Sequence, residues 1–183
     1  MIITLIRHAQ TDGNRSGALA SNPNEQLSSL GEEQADRLAN YLSRFKFSQI
    51  WTSPLPRALN TAAPTCKLLE KEYKVFPFLS EGQFNLDPSA PIIDPVYLDN
   101  GHPIPNEPVG MFRGRVNIFI GEIGKLDDKE SILVISHGHY LREFLNMYLG
   151  ATRYVRWPIE NCNETIIEVK DDIFIRHVNK KII

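Results

Sequence analysis

Two imidazoles and two guanidinium groups dominate the chemistry that this 183-residue sequence offers. Arg7-His8 closes a short apolar run at residues 2–6, and Ser136-His137-Gly138-His139 closes a second at residues 132–135. A third segment, 49–52, leads through Ser53-Pro54-Leu55-Pro56 to Arg57. An arginine fork matches the oxygens of a tetrahedral anion bidentately, and a histidine nitrogen facing phosphorus is a nucleophile. Arg7, His8, Arg57 and His137 have no acid beside them in the local sequence to neutralise them. As a set they suit a phosphoryl group.

The elements that must position them follow from periodicity. The runs at 2–6 and 132–135 are rich in β-branched residues and read as buried strands, with shorter strands at 49–52 and 74–78. Helical spacing runs through Ala35, Leu38, Ala39, Leu42 and Phe45, with Ser28 or Ser29 as N-cap and Glu32 or Glu33 in reach for a capping box. A second helix carries Leu59, Ala62, Ala63, Cys66 and Leu69, and Pro64 inside it predicts a kink or a restart. A third runs from Val109 to Ile123 and a fourth through Leu141, Phe144, Leu145 and Tyr148. Segments 165–169 and 173–178 flank Lys170-Asp171-Asp172 as a terminal hairpin. Alternating strands and helices predict a three-layer α/β/α domain over residues 1–183 with a mixed, mostly parallel sheet. In such sheets ligands bind outside the carboxyl ends of the strands, which is where both histidines and, if 49–52 is parallel, Arg57 arrive. Residues 9–26 read as a mixed loop. Residues 82–108 lose all periodicity, hold six of the twelve prolines, and read as an insertion, a lid or a rigid surface loop.

Composition removes several classes. Hydrophobic residues make up 42% and charged residues 23%, and 20 basic against 22 acidic side chains leave a formal charge of −2. No basic block suggests a nucleic acid or a membrane surface as partner. No apolar run approaches the roughly 20 residues a membrane span needs, and the first apolar run lacks the basic flank of a secretory signal. Cys66 and Cys162 form no CxxC pair or metal spacing. They read as buried free thiols of a cytoplasmic protein.

The motifs resemble one family. Leu5-Ile6-Arg7-His8-Ala9-Gln10-Thr11-Asp12-Gly13-Asn14 resembles the R-H-G-x-T-x-x-N signature of the histidine phosphatase superfamily, also called phosphoglycerate mutase-like. Leu27-Ser28-Ser29-Leu30-Gly31-Glu32-Glu33-Gln34-Ala35 resembles its L-[TS]-x-x-G-x-x-Q-A helix entry. Ser53-Pro54-Leu55-Pro56-Arg57-Ala58-Leu59-Asn60-Thr61-Ala62 resembles S-P-L-x-R-A-x-x-T-A, and Ser136-His137-Gly138 resembles the late S-H-G motif. The four occur in the family's order between residue 3 and about residue 145.

The resemblance implies a metal- and cofactor-independent phosphatase of small phosphomonoesters working through a phosphohistidine on His8. Arg7, Arg57 and His137, the last protonated, would complete the phosphate pocket, with Asn14 assisting. Glu81 would be the general acid that protonates the leaving alkoxide and later activates water. Ala9 departs from the family glycine. Glu81-Gly82-Gln83-Phe84-Asn85-Leu86-Asp87 keeps only the phenylalanine of the usual turn, and Asn106-Glu107-Pro108 stands where the family has G-E-S. The family also contains mutases, whose chains are typically longer, so hydrolysis is the preferred reading. The alternatives are a phosphoglycerate-type mutase and a phosphate-ligand binder without turnover. Residue by residue, His8 competes with a structural histidine, Arg57 with an ordinary helix-start arginine, and Glu81 with a solvated carboxylate. His137 with His139 competes with half a metal site. His102 and His177 read as surface residues, and Trp157-Pro158 and Asn161-Cys162-Asn163 either shape the pocket or cover the sheet, with cover the preferred reading. The physiological ester and the oligomeric state are not legible.

Overall fold

The computed structural model describes residues 1–16, 22–82 and 89–183. Among these, six strands form one sheet: β1 (Ile2–Arg7), β2 (Gln49–Thr52), β3 (Lys74–Val75), β4 (Ser131–Ser136), β5 (Glu164–Val169) and β6 (Ile173–Lys180). Their spatial order is β3-β2-β4-β1-β5-β6. The first four are parallel; β5 runs antiparallel to β1, and β6 to β5. The helices are α1 (Asp12–Ser16), α2 (Ser29–Leu42), α3 (Pro56–Leu69), α4 (Val109–Ile123) and α5 (Gly138–Tyr148).

The apolar runs of β1 and β4 are continuous because both faces of the sheet are covered. Ile3, Leu5, Ile132 and Val134 join Phe112, Phe119 and Phe144 of α4 and α5 in one core. Ile6, Leu133 and Ile135 join Leu38 and Leu42 of α2 and Ala58 and Ala62 of α3 in the other. The expected α/β/α layering is therefore the observed one. Cys66 and Cys162 are buried free thiols, pushed by burial up to about 11 and about 12.

Register brings the motifs together. Arg7 stands opposite Ser136, and Thr52 opposite Ile135. The pairing continues one residue past each strand, with His8 N donating to Ser136 O (2.9 Å) and Ser53 N to Ile135 O (3.1 Å). The chain leaves β1 to build β2 on the far side of β4, so the carboxyl ends of three adjacent strands open onto one crevice.

Several boundaries differ from the sequence reading. The strand expected at 74–78 is only Lys74–Val75, because Pro77 opens a 3-10 turn over Pro77–Leu79. α3 passes through Pro64 without restarting. The 9–26 loop contains α1 and a bridge between Thr11 and Leu27, while Gly17 lies outside the described residues. Within 82–108, residues 83–88, Phe84 and Pro88 among them, lie outside the described residues. The remainder has no helix or strand, only a bridge between Tyr97 and Pro103.

Candidate active site

His8 follows β1 and is 2% exposed. Its Nδ1 lies 2.7 Å from the Ala9 carbonyl oxygen. A carbonyl only accepts, so Nδ1 carries the hydrogen and the lone pair sits on Nε2. The next residues are braced by the other motifs. Ala9 N donates to Thr61 Oγ1 (2.9 Å), which donates to Arg57 O (2.6 Å). Gln10 N donates to Gln34 Oε1 (2.9 Å), and Gln10 O accepts from Ser28 N (3.0 Å). Ser28 also caps α2 by accepting from Gly31 N. A Cβ on residue 31 would lie 2.0 Å from Gln10 O, so glycine alone permits this approach. Ala9 is fully buried in ordinary backbone conformation, which explains why alanine serves where the family has glycine.

The other expected residues converge here. The His137 ring centroid is 5.1 Å from that of His8, and His137 Nε2 is 2.8 Å from Ser53 Oγ. Ser53 Oγ accepts from Leu55 N and keeps its own hydrogen to donate to Nε2, an arrangement that would put the His137 hydrogen on Nδ1. Arg57, at the start of α3, is 1% exposed, and Arg7 Nη1 donates to Ile159 O (2.8 Å). Arg7 Nε, Arg57 Nε and His137 Nδ1 are buried with no hydrogen-bond partner among the described residues. Buried donors are nearly always matched, so this cluster is built for an anion.

Burial, then the charges of Arg57 and Arg7, hold His8 well below its usual value. Burial, then Arg57, His8 and Arg7, do the same to His137. This direction runs against the protonated His137 that the resemblance implies, in a pocket where a phosphoryl anion would act in the opposite sense. Burial also lowers Arg7 and Arg57, opposed first by Glu81, although a guanidinium stays charged. Acids absent from the local sequence are therefore present in space, with Glu25 near Arg57 and Glu160 near Arg7.

Glu81 is not a solvated loop carboxylate. It accepts from the backbone N–H of His139 (3.3 Å) and Tyr140 (3.1 Å) at the amino end of α5, and of Gly82 (3.1 Å). The segment leading to it is pinned from two sides. Ser136 Oγ donates to Leu79 O (2.8 Å). Arg115 of α4, fully buried, donates to Phe78 O (3.0 Å), Ser80 O (2.6 Å) and Glu81 O (3.4 Å) and forms an ion pair with Glu107. Asn106, in the place of the G-E-S glycine, has φ 54°, a left-handed conformation that asparagine tolerates.

Asn14 stands beside the pocket, its Oδ1 accepting from Thr11 N (3.3 Å) and Asn161 Nδ2 (3.1 Å). Asn161 Nδ2 also donates to His8 O (2.7 Å), and Cys162 N to Arg7 O (3.0 Å). The 159–163 turn thus shapes the site, the alternative that the sequence reading placed second to covering the sheet. His102 is half-buried in a cavity wall beside Arg57 and Glu81. His177, on the edge strand β6, lies 2.9 Å from Glu164. His139 Nδ1 faces the Gly82 carbonyl (3.0 Å), and no group of three or more His, Cys, Asp or Glu side chains that could hold a metal occurs among the described residues. No helix among them is long and apolar enough to cross a membrane.

The sequence profile of the histidine phosphatase superfamily (branch 1) matches residues 3–180. An adenosylcobalamin/alpha-ribazole phosphatase of Escherichia coli K12 is 27% identical over 169 residues, covering 86% of this chain and 83% of that protein. Phosphoserine phosphatase 1 of Hydrogenobacter thermophilus is 25% identical over 188 residues, covering 92% and 87%. The crystal structure of the alpha-ribazole phosphatase from Shigella flexneri superposes with a TM-score of 0.79 at 22% identity, covering 98% of this chain and 96% of that one.

Proposed function

The chain belongs to the histidine phosphatase superfamily and is a phosphoric monoester hydrolase acting on small esters, and from that premise we propose that it works through a phosphohistidine on His8. The observation that carries this is the His8 tautomer: Nδ1–H is committed to Ala9 O, leaving an unprotonated Nε2 among unpartnered buried donors. Arg7, Arg57 and the Nδ1–H of His137 hold the nonbridging oxygens and balance the charge that builds on them. Nε2 attacks phosphorus, the ester P–O bond breaks, and Glu81 protonates the departing alkoxide. Water then attacks the phosphohistidine, giving its proton to the Glu81 carboxylate as the P–N bond breaks.

The relatives are named for phosphoserine and for alpha-ribazole, and both are candidate substrate types for this chain. The two buried free thiols support a reducing, cytoplasmic location. Hydrolysis of 4-nitrophenyl phosphate in EDTA, by wild type and by His8→Ala, tests the mechanism. Wild type turns over and yields an acid-labile phosphohistidine on rapid quench, while His8→Ala loses about 10,000-fold or more. Equal activity in the two proteins overturns the covalent route.

A further inference from the structure

A cavity of about 440 Å³ is lined by Arg57 and Glu81, so an ester whose phosphate is held by Arg57 and whose leaving oxygen meets Glu81 would extend its alcohol part into it. This inference rests on the phosphatase reading and concerns what that alcohol is. The wall facing the pocket is apolar: Leu98, Pro103, Ile104 and Pro105 from the proline-rich segment, met by Leu55 and Pro23. The segment satisfies much of its own backbone, with Leu98 N donating to His102 O (2.7 Å), Gly101 N to Leu98 O (2.8 Å) and Ile104 N to Val96 O (3.4 Å). It therefore presents side chains to the cavity.

The charges in the lining point the same way. Arg57 is the sole lysine or arginine among the described residues lining the cavity, and it belongs to the phosphate. The two carboxylates are Glu107, already paired with Arg115, and Glu81. A carboxylate on the alcohol would be desolvated without a cation of its own, close to Glu81. A flat ring laid on Leu98, Ile104 and the proline rings releases water from apolar surface. Meanwhile the His102 imidazole and the amides of Asn24, Asn100 and Asn106 are available to hydroxyl groups.

We propose that the preferred substrates are phosphomonoesters of uncharged, ring-bearing alcohols, and that esters whose alcohol carries a carboxylate are disfavoured. The test compares kcat/KM for benzyl phosphate, adenosine 5′-monophosphate, O-phosphoserine and 3-phosphoglycerate, all primary alkyl esters with poor leaving groups. At least one ring ester is expected to lead both carboxylate esters by about tenfold or more. Ile104→Lys, which sets a cation in the wall, is expected to narrow that ratio by about tenfold; the ratio is internal to each protein and so is independent of the folded fraction. Phosphoserine or 3-phosphoglycerate matching the ring esters, with His8→Ala inactive, overturns this inference and leaves the phosphatase reading standing. An unchanged ratio in Ile104→Lys also overturns it. No turnover of these esters or of 4-nitrophenyl phosphate overturns both.

Discussion

The two halves of the site are built differently. The phosphate half stands on strand ends: Arg7, His8, Ser53 and His137 are placed by the register of β1, β2 and β4 and by hydrogen bonds that continue it. The alcohol half stands on irregular chain, with Glu81, Leu98, His102 and Ile104 outside any strand or α-helix. It is tied to the core chiefly through Arg115, Ser136 and the amino end of α5. The difference teaches where each property resides. Anion capture and nucleophilic attack need fixed geometry and use the sheet; proton delivery and substrate choice depend on the braces of a loop.

Removing the acid separates the halves most sharply. Glu81→Gln keeps an acceptor for the α5 amides but has no proton to give. Turnover of an ester with a poor leaving group is expected to fall about 1,000-fold. With 4-nitrophenyl phosphate the first step needs no acid, so a burst of 4-nitrophenolate followed by slow turnover is expected in a stopped-flow trace. Equal losses in kcat/KM on both esters, with no burst, would place Glu81 in the phosphate half and break the comparison.

The brace comes next. Arg115→Met leaves Glu107 buried and unpaired and is expected to cost about 3 kcal/mol in a denaturant titration. Because Phe78 O, Ser80 O and Glu81 O lose their donor, kcat on a benzyl ester should fall about 10- to 100-fold, with 4-nitrophenyl phosphate affected far less. Adding Glu107→Leu should restore stability but not the acid-dependent rate. Recovery of both would mean that Arg115 serves the fold alone.

What the sequence discloses divides along the same line. His8, Arg57 and His137 are legible because each directly follows, or lies a few residues beyond, a buried strand, and parallel strands share an edge. The strand-ending motifs need no knowledge of distant contacts. Arg115 is not legible: an arginine in an amphipathic helix resembles a surface cation, and only tertiary packing reveals that its donors end on Phe78 and Ser80. Asn161 is hidden because antiparallel β5 returns the preceding turn to the His8 carbonyl from the far end of the chain. The electrostatics of His137 are illegible for a related reason, since burial and two arginines act on it from outside its own segment.

Those depressed histidines make stability a probe of the phosphate half. Both are held neutral in the fold well below 6.5, whereas the unfolded chain protonates them near 6.5. The unfolded state thus binds more protons below that pH, so stability is fully present above about 6.5 and falls as the solution is acidified. The two groups act in the same direction, so the fall steepens as the unfolded chain becomes fully protonated below 6.5. Glu143, raised by burial above its ordinary value, works in the opposite sense, taking up its proton in the fold before the unfolded chain does. His8→Ala should remove about half the slope, and inorganic phosphate should offset part of the loss. A flat profile in this window would mean that the imidazoles are not held neutral.

The smallest effect expected is at Asn161, which touches the phosphate half from behind. Its Nδ2 donates to His8 O and to Asn14 Oδ1. Removing the amide leaves both acceptors short of a donor, a loss of about 1 to 1.5 kcal/mol that corresponds to roughly a tenfold drop in kcat/KM for Asn161→Ala. If Asn161 acts by holding His8 and Asn14 in place, Asn14→Ala should cost little more once Asn161 is gone, because the two changes remove one shared contact. The ratio between good and poor leaving groups should stay at its wild-type value, since proton delivery lies in the other half. A full additive loss would instead indicate that each amide binds the phosphoryl group independently, and a leaving-group-dependent loss would tie this turn to Glu81.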